Sequence, residues 1–457
     1  MGSKQQKRRR KASPDSGMYG CSPEGPGMGA EGPVAGYGTE SSVEKASLME
    51  EIVERGNLFR ALEKVEKNGG APGVDGMKAE ELRAYLVDHW LRIKKELLSG
   101  TYKPLPVLRK QIPKPGGGFR NLGIPIVLDR FIQQAMLQVL QKKWDQEFSE
   151  SSFGFRPKRS AHQAVRRAQR YIKEGKRWVV DIDLEKFFDR VNHDKLMGLV
   201  AKRIEDKRIL ILIRGYLNSG VMDCGLCVPT KEGTPQGGPL SPLLSNLMLD
   251  VLDKELEERG HCFVRYADDC NVYVGSKQAG ERVMISLRKF LEGRLKLKVN
   301  EQKSAVARPW KRKFLGFTVT YRQGIRCKVS PEAVKRFKYT VRQLTRRTRG
   351  VCLRRMVKEL SFYLKGWIGY FGIAEVKKVF HELDKWIRRR LRAMLWKQWK
   401  RRAYRELCKR GVSKRLAWNT FKSAHGPWRL SHSPGVEIAL PVSFFEKLGL
   451  PQLRCLT

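Results

Sequence analysis

Two stretches of this chain place carboxylates among apolar residues. Residues 263–274 read FVRYADDCNVYV, with apolar and aromatic residues on both sides of Asp268 and Asp269. This is the pattern of a β-hairpin carrying two carboxylates at its tip. Residues 178–191 read WVVDIDLEKFFDRV, where a strand over 179–184 sets Asp181 and Asp183 on one face and the chain turns into a helix at Phe187 and Phe188. Asp268 and Asp269 alone have an ordinary reading as a solvated turn. A carboxylate on a buried strand, however, is costly unless it is paired or binds a metal. Three such groups, Asp183, Asp268 and Asp269, raise one another's pKa at close range. Two Mg²⁺ ions ~3.5–4 Å apart would resolve that conflict, activate a 3′-hydroxyl and hold a triphosphate for in-line displacement. The chemistry is nucleotidyl transfer, to which the protein contributes position and charge.

Other segments supply what such a centre needs. Residues 104–125 alternate apolar and basic residues around Gly116, Gly117 and Gly118, predicting a hairpin that presents Arg109, Lys110, Lys114 and Arg120. Lys114 and Arg120 would neutralise the triphosphate. Residues 229–246, PTKEGTPQGGPLSPLLSN, form a loop feeding an apolar helix. Its glycines fit a backbone approaching a flat ligand closely, which would lay Gln236 against the primer-template or incoming base. Helices are predicted over 43–66 (one or two), 82–98, 129–148, 161–173 and 279–295, and strands over 297–303 and 313–319.

After Ser330 and Pro331, a good N-cap and first helical position, three helices follow at 332–345, 353–370 and 375–404. The last has an apolar face, interleaved Trp386, Trp396 and Trp399, and a basic remainder. Its Arg388, Arg389, Lys397, Lys400 and Arg401 read as an RNA-binding surface. Residues 411–457 read as a small basic appended module. Residues 1–44 open with KQQKRRRK and continue rich in Gly, Pro and Ser, as a disordered tail.

Composition points the same way. The 457 residues hold 91 Lys plus Arg against 47 Asp plus Glu, a formal net charge of +44. An excess of this size repels itself unless a polyanion neutralises it, so nucleic acid is the expected partner. No apolar run approaches ~18 residues, so no membrane span is expected. The nine cysteines are scattered, without a secretory signal, as reduced intracellular thiols would be. Cys224 and Cys227 form a C-x-x-C pair without the second pair that a structural zinc site wants, and read as structural filler.

Taken together, Tyr266-Ala267-Asp268-Asp269, the D-x-x-x-F-F run ending at Phe188, GTPQGGPLSP and KFLGF resemble the ordered motifs of reverse transcriptases. NGGAPGVDG, IPKPGGGFRNLGIP, SFGFRPKRS and GWIGYF extend the resemblance to the proteins encoded by group II introns. The resemblance implies an α+β right-hand polymerase: fingers and an antiparallel-sheet palm over 45–330, a helical thumb that doubles as a maturase domain over 331–410, and a nucleic-acid-binding module over 411–457. It implies an RNA-directed DNA polymerase that binds intron RNA to assist splicing and copies it during retrohoming. Its partners would be group II intron RNA, a DNA target and primer, and dNTPs, in a bacterial cytoplasm among intron RNA and nucleoid DNA.

On the same resemblance the first metal ligand falls on Asp183, five residues before Phe188, with Asp181 the alternative. Phe188 would screen the sugar against a 2′-hydroxyl, and Lys303 would lie near the leaving pyrophosphate. With only Cys408 and Cys455 beyond residue 352, no His-Asn-His endonuclease is expected, as in the compact class C type. The competing expectations are a splicing cofactor with a vestigial polymerase, a reverse transcriptase repurposed for DNA repair or phage defence, and an RNA-dependent RNA polymerase, which Phe188 opposes.

Overall fold

The computed structural model describes residues 47–113, 117–223, 226–228, 232–233, 237–321 and 324–455. The expectations for Lys114, Gln236, Cys224 and the N-terminal tail lie outside the described residues.

The two carboxylate-bearing stretches meet in one antiparallel sheet, in the order Cys262–Tyr266, Asp269–Val274, Trp178–Ile182, Ala305–Ala307. Successive strand residues point to opposite faces. Accordingly Val180, Ile182, Phe263 and Val272 enter one apolar core, and Val179, Val264 and Tyr273 enter another. Helix Ala161–Lys173 packs against the Cys262–Tyr266 strand, and helix Lys277–Phe290 against Trp178–Ile182. That double cover is why both strands are apolar almost without interruption. Helix Ala161–Lys173 begins in a capping box: the Ser160 hydroxyl accepts from Gln163 N, and the Gln163 side chain accepts from Ser160 N.

A second sheet runs in the order Phe119–Ile124, Val107–Pro113, Val221–Asp223, Leu226–Val228. Its first two strands are the expected basic hairpin, paired antiparallel from Leu108–Ile124 to Pro113–Phe119. The hairpin that completes it, which joins Val107–Pro113 in parallel, has strands of three residues each, too short for alternation to register in the sequence.

One predicted strand is absent. Within 297–303 only Val299 makes a bridge, to Leu184, and residues 301–303 turn. Lys296 sits at φ 57°, so the chain reverses there after the π turn Leu291–Leu295, and strand pairing waits until Ala305. Over 313–319 the chain first makes a tight turn at Leu315 and Gly316, and only Phe317–Val319 is a strand.

The three later helices are Pro331–Leu344, Leu353–Phe371 and Lys378–Trp399. Ser330 caps the first, its hydroxyl accepting from Ala333 N. Their shared core includes Phe337, Leu360, Leu364, Trp367, Phe380 and Leu383. The KFLGF and GWIGYF motifs form one joint in it: Tyr370 Oη donates to Leu315 O at 2.9 Å, and the Phe371 and Phe317 rings lie 5.1 Å apart. Residues 411–455 do not pack as a separate appendage. Val412, Ala417, Val436, Leu440, Phe445 and Leu453 belong to the same core, and Asp384 accepts from the backbone N of Leu453 and Arg454. Among the described residues, no helix is long and apolar enough to cross a membrane.

Candidate active site

The ladder between Trp178–Ile182 and Asp269–Val274 ends at the pair Ile182–Cys270. Carried one step further, that register sets Asp183 across from Asp269. Asp183 is held there by its backbone: Asp183 N donates to Ser304 Oγ at 3.0 Å, and Asp183 O accepts from Asn300 N at 2.8 Å. Asp268 lies in the hairpin turn, half-buried, beside Asp269. Asp269 reaches solvent on one side, yet its carboxyl is pushed up to about 7 by the protein packed around it and by the charges of Asp268, Asp181 and Asp183. Lys303 Nζ lies 3.3 Å from Asp183 Oδ2 and partly relieves that repulsion.

Asp181 shares the face of the sheet but is already committed. Its Oδ2 accepts from Arg312 Nε at 2.8 Å and pairs with the Arg312 terminal nitrogen at 2.5 Å. With the Asn271 amide turned to donate, Nδ2 lies 3.1 Å from Asp181 Oδ1. Asp183, Asp268 and Asp269 are thus left as the acidic edge. Among the described residues, no three His, Cys, Asp or Glu side chains converge closely enough to grip an ion already. Their chemistry nonetheless suits one: hard oxygen donors on a rigid backbone, one of them a carboxyl whose ionised form both burial and its neighbours disfavour.

What sets the hairpin tip is a residue inside the carboxylate stretch itself, Arg265. Arg265, fully buried, pairs with buried Asp253 through two hydrogen bonds, 2.7 Å to Oδ1 and 2.5 Å to Oδ2. Its remaining terminal nitrogen donates to Asn246 Oδ1 and to Ala267 O, each at 3.0 Å, and so ties the turn directly to helix Ser241–Glu258. Ala267 takes φ 57°, a strained value for a residue with a side chain. The sequence does carry a signal for it: an Arg inside FVRYADD has apolar neighbours on both sides and must have a buried partner.

The SFGFRPKR motif buttresses the same turn. Phe153 N donates to Arg265 O, and Arg265 N donates to Ser151 O, extending the pairing at the sheet's edge. Arg156, buried, satisfies the carbonyls of Asp145, Ser149 and Ser152 and pairs with the Asp145 carboxylate. Gly154 lies against the turn so closely that a Cβ there would fall 2.2 Å from Ala267 N.

Phe188 stands five residues after Asp183, half-buried, its ring edge-on to Phe187 at 5.3 Å. Arg120 is exposed, on the other sheet, opposite Ile112. Gly233 and Gly237 of the GTPQGG motif each pack against one of the two regions. Gly233 N donates to Val191 O beside Phe188, and at Gly237, φ 136°, a Cβ would lie 2.3 Å from Gly123 O of the basic hairpin. Close packing of backbone on backbone therefore accounts for Gly237, in place of the flat ligand expected from the glycine content. Of the predicted RNA-binding residues, Lys397, Lys400 and Arg401 are exposed. Arg388 is half-buried near Asp384 and Arg454, and Arg389 stacks 4.2 Å from the centre of the Trp428 ring.

Residues 112–319 match the family model "Reverse transcriptase (RNA-dependent DNA polymerase)", and residues 334–412 match "Group II intron, maturase-specific domain". Protein YkfC of Escherichia coli is 37% identical over 278 residues, covering 52% of this chain and 73% of YkfC. Group II intron-encoded protein LtrA of Lactococcus lactis is 29% identical over 328 residues, covering 57% of this chain and 53% of LtrA, so the match spans about half of that relative. A partial Cas6-RT-Cas1–Cas2 complex aligns at 23% identity with a TM-score of 0.36, over 55% of this chain and 43% of that one, too loosely to bear on function.

Proposed function

This chain belongs to the family of group II intron-encoded reverse transcriptases and maturases, RNA-directed DNA polymerases by class, and we propose that it copies intron RNA into DNA at Asp183, Asp268 and Asp269. The observation that carries the residue assignment is the strand register that brings these three carboxylates to one end of the sheet while Arg312 occupies Asp181. Reverse transcription requires divalent metal; two Mg²⁺ ions bound by this edge would acidify the primer 3′-hydroxyl and neutralise the triphosphate. The chain's own residues orient the groups. Asn300 and Ser304 fix Asp183, Arg265 fixes the Ala267 turn, and Phe188, half-buried five residues after Asp183, would screen the sugar against a ribose 2′-hydroxyl. Lys303, paired with Asp183, would contribute its charge to the leaving pyrophosphate. Residues 45–330 would form fingers and palm, 331–410 the thumb, and 411–457 an extension of the thumb.

In the maturase role, the exposed Lys397, Lys400 and Arg401 supply phosphate contacts to the intron RNA. The same protein would then promote splicing before it copies the RNA during retrohoming.

Paired substitutions separate the ligand from its neighbour. Asp183→Asn removes primer extension on an RNA template while RNA affinity is retained. Asp181→Asn retains measurable extension, because its carboxylate answers Arg312. Normal extension by Asp183→Asn would contradict the assignment.

A further inference from the structure

A second site lies away from the carboxylates, where helix Lys378–Trp399 meets the end of helix Pro331–Leu344 and the short helix Pro427–Leu430. Arg342, Thr345, Arg347, Trp386, Arg390 and Trp428 line a cavity of about 250 Å³. Trp386 stands in a ring of cations: the guanidinium carbons of Arg390 and Arg342 lie 5.4 and 5.7 Å from its ring centre, and Lys338 Nζ lies 5.9 Å away. Trp428 is clamped by Arg389, which stacks on the ring and donates to Trp428 O, yet the indole remains 39% exposed.

Arg390 has a structural role. It donates to Thr345 Oγ1 at 2.6 Å and to the carbonyls of Arg342 and Thr345, closing the C-terminus of helix Pro331–Leu344. Arg342 and Arg347 play no such part, for both are exposed, and among the described residues neither pairs with a carboxylate. Three guanidinium groups therefore converge without a counter-charge. Burial, and after it the charges of Arg342 and Arg347, disfavours the charged form of Arg390. An anion between them would relieve that repulsion. Indoles in the same wall would add little to a plain phosphate, but they provide a stacking surface for a base. The volume is enough for one base.

We propose that this cavity receives a single unpaired nucleotide of structured RNA, its base stacked on the exposed Trp428 and its phosphate held by Arg342 and Arg347. The choice of RNA rests on the maturase reading above, and on the general rule that RNA is recognised through splayed loop and bulge bases.

The test uses the full chain and an RNA hairpin carrying 2-aminopurine as a one-nucleotide bulge, beside the same hairpin fully paired and a bulged DNA hairpin of the same sequence. Wild type should bind the bulged RNA about tenfold more tightly than the paired RNA, the stacking of one base being worth that much, and should change the 2-aminopurine fluorescence. Arg342→Gln/Arg347→Gln, and separately Trp428→Leu, should lose the preference while melting normally and extending a primer on an unstructured RNA template at the wild-type rate. Equal binding of bulged and paired RNA by the wild type overturns the proposal, as does a preference that survives both variants. A stronger preference for the bulged DNA overturns the choice of RNA. Binding is read without catalysis, so failure of primer extension would strike the polymerase reading alone.

Discussion

The contact between Gly154 and the hairpin tip makes Gly154→Ala a sharp perturbation. The added Cβ would fall 2.2 Å from Ala267 N and 3.0 Å from Ala267 Cα, where ordinary contact begins at 3.4 Å. Neither side yields easily. Gly154 O is held by Asn246 Nδ2 at 2.8 Å and Phe153 N by Arg265 O at 2.9 Å, while Arg265 holds Ala267 O from beneath the turn. Relief therefore requires a shift of about an ångström, carried into the adjoining Asp268 and Asp269. Overpacking of this kind costs about 1–3 kcal/mol of stability, and misplacing reacting groups by ~1 Å costs about a hundredfold in rate. Single-turnover primer extension at saturating dNTP, with urea denaturation of the same preparation, separates the two effects. The expected result is a folded protein with a lowered urea midpoint, a rate reduced about a hundredfold and unchanged RNA affinity. Gly198→Ala, in helix His193–Ala201 with open space around it, is the control and should be neutral or stabilising by ~0.5–1 kcal/mol. A Gly154→Ala protein that extends primers at close to the wild-type rate would refute the reasoning that this contact sets the carboxylates.

Asp253→Ala leaves the Arg265 guanidinium buried without its partner and should cost about 3–5 kcal/mol by chemical denaturation, whereas Arg265→Met/Asp253→Leu should recover most of that stability but not the extension rate, since Ala267 O loses its donor. Asp129 is pushed up to about 7, chiefly by burial, against hydrogen bonds from Tyr102 Oη and Leu105 N. The folded protein thus holds this proton more tightly than the unfolded chain, so the contribution of Asp129 to stability is greatest below pH ~4 and is lost as pH rises through about 7. Urea midpoints of Asp129→Asn and wild type, compared in mildly acidic and mildly alkaline buffer, should move in the variant's favour at the higher pH; an unchanged difference would count against the burial argument. Phe188→Ala should admit rNTPs into primer extension while retaining dNTP incorporation, and a variant as selective as wild type would remove Phe188 from the sugar gate.

Strong periodicity makes much of the architecture legible. The apolar flanks of Asp268 and Asp269 fix the hairpin, and the Ser330-Pro331 start fixes the helix that follows. Residues that act through tertiary contact are not legible in this way. Arg312 answers Asp181 from 131 positions away, and Gly154 matters only because the hairpin turn folds onto it. The glycines of GTPQGG illustrate the opposite error: their permissiveness is visible, but Gly237 approaches the Gly123 carbonyl of this same chain. The C-terminal residues look like a separate module because their helices are short and basic, yet Leu440, Phe445 and Leu453 complete the core beneath the three preceding helices. The segment Leu297 to Lys303 carries enough alternation to suggest a strand, and the left-handed turn at Lys296 removes it from the ladder.

Whether the carboxylates at the hairpin tip form the polymerizing centre of an RNA-templated enzyme is tested most directly by primer extension. The purified chain would be given Mg²⁺, an RNA template and a DNA primer, with dNTPs compared against rNTPs for wild type and Asp268→Asn. The prediction is extension with dNTPs, little with rNTPs, and none by Asp268→Asn, whose RNA affinity matches wild type. Extension by Asp268→Asn at the wild-type rate, or a wild type that binds structured RNA tightly yet never extends the primer, would contradict it.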